Sequence, residues 1–83
     1  YAGEHQRATA LFEHAVELAE RHNLRTLQGF AHQHYGKCLA ETGDLTAARW
    51  HLTRALRIRT SLADDALIES TRRALEGLDA LSE

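Results

Sequence analysis

The chain has no proline, no methionine, one cysteine, one lysine, five glycines and five aromatic residues. Without proline, no segment is forced to break or kink. So few glycines argue against a sandwich or barrel that turns every few residues. A lone Cys38 cannot close an internal disulfide and fits a reducing compartment, so a cytoplasmic location is expected. No apolar run approaches the ~18 residues a membrane span needs, and no signal-peptide pattern opens the chain. The net charge is −2 with neutral histidines, which gives no global attraction to nucleic acid or an anionic membrane. Nine of the ten basic side chains are arginine, which reads as the codon bias of a GC-rich bacterial genome. Eighty-three residues make one small domain with a modest core. The first residue is Tyr1 rather than Met, so a longer parent chain is expected.

What is present is helical patterning. Ala8, Leu11, Phe12, Ala15, Leu18 and Ala19 recur at three-four spacing, which predicts a first helix over about Glu4–His22. Asn23 tolerates the left-handed conformation that ends a helix. Thr26 is the expected cap of a second helix over Leu27–Glu41, with Leu27, Phe30, Ala31, Tyr35, Cys38 and Leu39 on its apolar stripe. Thr42-Gly43-Asp44 combines a left-handed residue with a cap, so a third helix follows over Leu45–Ser61. Asp64 caps a fourth over Asp65–Leu81. Short connections make sequential helices antiparallel neighbours. The expected class is all-α.

A shift of 40 residues superimposes Gly3 on Gly43, Glu4 on Asp44, Ala8 on Ala48, Ala15 on Ala55 and Leu27 on Leu67. Small residues at repeated places have a physical reason, because antiparallel helices approach closely only where side chains are small. Gly36 supplies such a place on the second helix, with Ala48 and Ala55 opposite. A glycine inside a helix costs ~1 kcal/mol against alanine, so its presence asks for a contact.

The stretch YGKCLAETGDLTAARWHLTRALRI, from Tyr35 to Ile58, resembles a tetratricopeptide (TPR) repeat. It carries Tyr35-Gly36, Leu39, Gly43-Asp44, Leu45, Ala48, Leu52, Ala55-Leu56 and Ile58. His32 stands where the family has an early tryptophan, and Thr60 where it has a closing proline. The 40-residue spacing exceeds the family's usual length of about 34 residues and is similar to longer repeats of bacterial regulators. The resemblance implies antiparallel hairpins stacked as a right-handed α-solenoid fragment of four helices. Residues 1–25 would be the second helix of a partial repeat. Residues 26–62 would be a complete repeat, and 63–83 the first helix of a third repeat or a capping helix.

The resemblance also implies a groove lined by the first helix of each repeat. Carried over, its residues are Phe30, Gln33, His34 and Lys37, then Ser70, Arg73 and Gly77. No Asn occupies the places of the family's Lys/Asn carboxylate clamp, so that specificity is not implied. The mixed lining suits an extended or helical peptide of acidic or C-terminal carboxylate character. The leading expectation is therefore a protein–protein interaction module of a larger, bacterial regulatory or signalling protein. It would bind a partner peptide or promote self-assembly through the uncovered face of its first helix. The alternative is a ligand-sensing regulatory domain of a transcriptional activator, with a small molecule near Tyr35 and His32.

Chemistry-bearing motifs are scarce. The six histidines, His5, His14, His22, His32, His34 and His51, include no pair at i, i+4, so no metal and no cofactor are expected. A pH-dependent interface is the second reading of the histidines. Cys38 falls on the apolar stripe and reads as packing. No phosphate loop, nucleophile elbow or carboxylate pair is present, and catalysis is not expected. Acids cluster on the first helix at Glu4, Glu13, Glu17 and Glu20. The third helix carries Arg49, Arg54, Arg57 and Arg59, with no acid between Asp44 and Asp64. Both solvated faces and complementary association fit this segregation, whereas nucleic-acid binding is disfavoured without aromatic interleaving. Trp50 falls on an outward position and reads as either local packing or an interface residue.

Overall fold

A computed structural model describes residues 2–81, with side-chain environments from residue 6 onward. Four helices account for them: α1 (Ala2–Arg21), α2 (Arg25–Glu41), α3 (Leu45–Ser61) and α4 (Asp65–Leu81). There is no strand among the described residues, and the fold is all-α. No helix among the described residues is long and apolar enough to cross a membrane. Tyr1, Ser82 and Glu83 lie outside the described residues, as does the side chain of His5.

The three connections share one geometry. Asn23, Gly43 and Ala63 each take a positive φ, of 54°, 89° and 56°. The next amide then bonds back to the carbonyl five residues earlier: Leu24 to Ala19 at 2.8 Å, Asp44 to Leu39 at 3.0 Å, Asp64 to Arg59 at 3.4 Å. This is the Schellman ending, which uses carbonyls that the helix leaves unpaired. Asp44 and Asp64 then cap the following helices, each Oδ1 accepting a 3.2 Å bond from the amide of Ala47 or Leu67.

Two expectations change here. Thr26 is not a cap, because α2 already starts at Arg25 and its N-cap is Leu24, which offers no side-chain bond. The backbone turn fixes that start without a polar side chain. Gly3 lies inside α1, so its match to the turn residue Gly43 is one of sequence alone.

Each helix packs on its sequence neighbour, and α2 also meets α4. Among the described residues the α1 backbone comes close to α2 alone. The tightest approach is α2 on α3. A Cβ on Gly36 would stand 2.8 Å from Leu52 Cγ and 3.1 Å from the Ala48 carbonyl oxygen, so Ala48 lies opposite as expected, whereas Leu52 rather than Ala55 supplies the nearest side chain. Ala48 and Ala55 are fully buried. Ala48, Leu52 and Leu78 form the core, with Leu39, Ala40, Leu45, Ala74 and Leu75 packed against it.

The helical stripes shift at their ends. Leu11 of α1 is 70% exposed, and Leu27 and Phe30 of α2 are exposed as well. In their place α2 buries Gln28, His32 and Gln33. It is the central helix, so the face opposite its apolar stripe is covered too. Its buried polar atoms are therefore matched by polar partners. Gln28 Nε2, for example, donates to the Ala19 carbonyl at the end of α1 (3.1 Å).

Candidate functional site

An open groove of about 550 Å3 runs between α2 and α4, lined by Lys37, Ala66, Glu69, Ser70, Arg73 and Ala74. Lys37 comes from the exposed side of α2. Ser70 and Arg73 sit one turn apart on α4. Arg73 Nε stands 3.6 Å from Glu69 Oε1, with both side chains more than half exposed, so this pair restrains Arg73 only weakly. Phe30 and His34 lie along the same helix, their ring centroids 4.2 Å apart. Burial lowers the His34 pKa first, and the charges of Lys37 and Arg59 lower it further, so the ring is neutral at neutral pH.

Gln33 was expected to line the groove and does not, because it is buried beneath it. Its Nε2 donates to Ser70 Oγ (3.2 Å), and its Oε1 accepts from Thr71 Oγ1 (2.6 Å) and from Arg59 Nη1. Gly77 has open space around it and is not part of the groove lining.

Arg59 is the residue that the sequence hides. Its place among Arg49, Arg54 and Arg57 on α3 suggests a surface residue, yet it is 3% exposed. Its Nη1 also donates to Thr71 Oγ1 (2.9 Å), while its Nε has no partner. No carboxylate stands within ion-pair distance of it among the described residues. Burial lowers its pKa, opposed by the charge of Asp64, and a guanidinium remains charged even so. Gly29 makes the room: a Cβ there would meet Arg59 Cγ at 3.2 Å and Nε at 3.3 Å. The groove thus has two cations and the single acid Glu69 in its lining, and Arg59 is joined to its Ser70 through Gln33.

A second polar constellation joins α1, α2 and α3. His32 is 1% exposed; its Nδ1 lies 3.0 Å from His51 Nδ1 and its Nε2 lies 3.3 Å from Glu20 Oε1. Tyr35 donates to Glu13 Oε1 at 2.7 Å and lies tilted against the His51 ring with centroids 4.3 Å apart. Burial is the main cause that lowers both histidine pKa values. It also raises the Tyr35 hydroxyl to about 12, with Glu13 adding to that rise. No sequence signal marks the histidine pair, because spacing within one helix cannot show a contact between two helices. Tyr35 and His32, expected beside a small molecule in the alternative reading, are buried and already bonded. No group of three or more His, Cys, Asp or Glu among the described residues is placed to hold a metal ion.

Trp50 is 59% exposed and stands edge-on to His51, centroids 4.8 Å apart. It shares a shallow depression of about 310 Å3 with Thr46, Arg49, Thr53, Arg54 and Arg57. Arg49 also reaches Asp79 of α4 at 2.5 Å. Trp50 thus packs on a neighbouring ring while most of its surface stays open. Cys38 is buried, with Thr9 Oγ1 4.0 Å from its sulfur.

No protein-family model matches the chain, and neither a curated protein sequence nor a solved structure matches it.

Proposed function

We propose that this chain is a non-catalytic interaction module of the tetratricopeptide type, part of a bacterial regulatory or signalling protein, that binds a peptide of acidic or C-terminal carboxylate character. The observation that carries the reading is the convergence of Lys37, Ser70 and Arg73 on one groove, with the buried charge of Arg59 linked to Ser70 through Gln33. The groove is lined by two cations, one hydroxyl and one acid, which favours an anionic ligand over a neutral one. Phe30, half exposed beyond the groove, offers an apolar contact for a flanking side chain. The hairpin supports the repeat assignment through Gly36 against Ala48 and through turns that recur every twenty residues. The exposed Leu11 of α1 supports the related expectation of self-assembly through that helix.

A peptide array probed with the purified chain tests the reading. Peptides with acidic or free C-terminal carboxylates should bind. Lys37→Ala and Arg73→Ala should each weaken binding about fivefold or more, equivalent to ~1 kcal/mol. A partner that binds both variants as well as the parent removes the groove from the assignment.

A further inference from the structure

We propose that the His32–His51 pair is a proton-operated seat for Trp50, which holds the indole in place at neutral pH and releases it when the pair takes up a second extra proton. The hydrogen bonds dictate the order of events. Glu20 is a carboxylate acceptor, so His32 must carry its hydrogen on Nε2, leaving a lone pair on Nδ1. His51 must then donate its Nδ1–H across the 3.0 Å gap. This leaves His51 Nε2 as the one ring nitrogen of the pair outside the hydrogen bonds. A first proton enters there and turns His51 into an imidazolium without breaking any contact.

The second proton can go only to His32 Nδ1. That sets two N–H groups head to head and two cations on rings 5.2 Å apart. The contact must open, and burial decides which side moves. His32 is 1% exposed and its new charge is held by Glu20. His51 is only half-buried, so it is the ring that swings out. Trp50 stands edge-on to both rings and closer to His51, with a centroid distance of 4.8 Å against 5.9 Å to His32. It loses its support when His51 leaves. The charges that act on the pair come from Glu13 and Glu20 of α1, which favour the protonated rings, and from Arg54 of α3, which opposes protonation of His32. Such a pair titrates in two macroscopic steps. The consequence is an exposed aromatic, set among arginines, whose presentation depends on pH.

Trp50 is the sole tryptophan, so its fluorescence reads the site directly. The intensity and anisotropy of its emission are followed from about pH 8 to about pH 4.5, across the imidazole range. Far-UV circular dichroism is recorded on the same samples. The expected result is a fall in intensity as His51 charges, then a fall in anisotropy at lower pH, while helix content is retained. Glu20→Gln should move the second step down by about one pH unit, the usual effect of losing an adjacent carboxylate. His51→Gln should abolish both steps, whereas the exposed His14→Gln should leave them unchanged.

The proposal falls if His51→Gln superimposes on the parent, or if anisotropy drops only together with helix content. Nitrogen NMR of the histidine rings needs no variant. It must find His32 protonated on Nε2 and His51 on Nδ1 at neutral pH, and the opposite tautomers overturn the seat.

Discussion

Gly36 and Gly77 both interrupt helices, and they do opposite things. Gly36 lets α2 reach α3, whereas a Cβ on Gly77 would meet nothing within 4 Å. Gly36→Ala should therefore destabilise the chain by ~1–3 kcal/mol, because Leu52 and the Ala48 backbone must shift. Gly77→Ala should stabilise it by ~0.5–1 kcal/mol through helix propensity alone. Thermal or urea unfolding of the two variants side by side gives the contrast, and equal shifts would remove Gly36 from the contact. Gly36 was legible in the sequence because a helical glycine opposite two alanines has few other uses. Arg59 was not, since a fourth arginine on a charged helix looks like the other three. Its depth follows from Gly29 on the neighbouring helix and from Thr71 and Gln33, none of which is near it in the chain.

The turns are the part of each element that the sequence revealed best, and also where it misled. Gly43 and the Asp44 and Asp64 caps could be read directly, because each residue type has a specific backbone use. Asp44→Ala should cost ~0.5–2 kcal/mol. Thr26→Ala, at the mistaken cap, should stay within about 0.5 kcal/mol of the parent. Ala63 was unreadable, since alanine gives no sign of a left-handed residue. It holds φ 56° only because the flanking helices fix it there. Ala63→Gly relieves ~1–2 kcal/mol of strain and returns part of it as chain entropy, so a net gain of about 0.5–1 kcal/mol is expected in the same unfolding assay.

At the scale of the molecule, titration sets the pH range in which the fold is most stable. Burial is the first cause that depresses His32, His34 and His51 below their ordinary 6.5. A depressed histidine contributes stability that is present above the unfolded value and lost as pH falls through the folded one. Tyr35 works at the other end. Its folded pKa of about 12 exceeds the ordinary 10, so its contribution is present below 10 and lost as pH rises toward 12. The melting temperature should therefore be level between about pH 6.5 and pH 10 and fall on both sides. A melting temperature that rises on acidification below about pH 6 would contradict the histidine burial. The all-α class and the order of the helices could be read in advance from hydrophobic periodicity. The joining of α1, α2 and α3 through Glu20, His32 and His51 could not, because it depends on which helix faces which.

The evenly spaced turns have one more consequence. Helices α2 and α4 each run 17 residues, and each begins one residue after a Schellman ending. Residues 25–64 are thus a module whose two ends fall at the same point of the same turn. If that segment is written twice in tandem, Asp64 precedes Arg25 at the new junction, and an aspartate replaces Leu24 as the cap. The chain can grow by whole hairpins without inventing a joint, and the copied junction is better capped than the original. A gene that duplicates this segment would lengthen the protein in a single step.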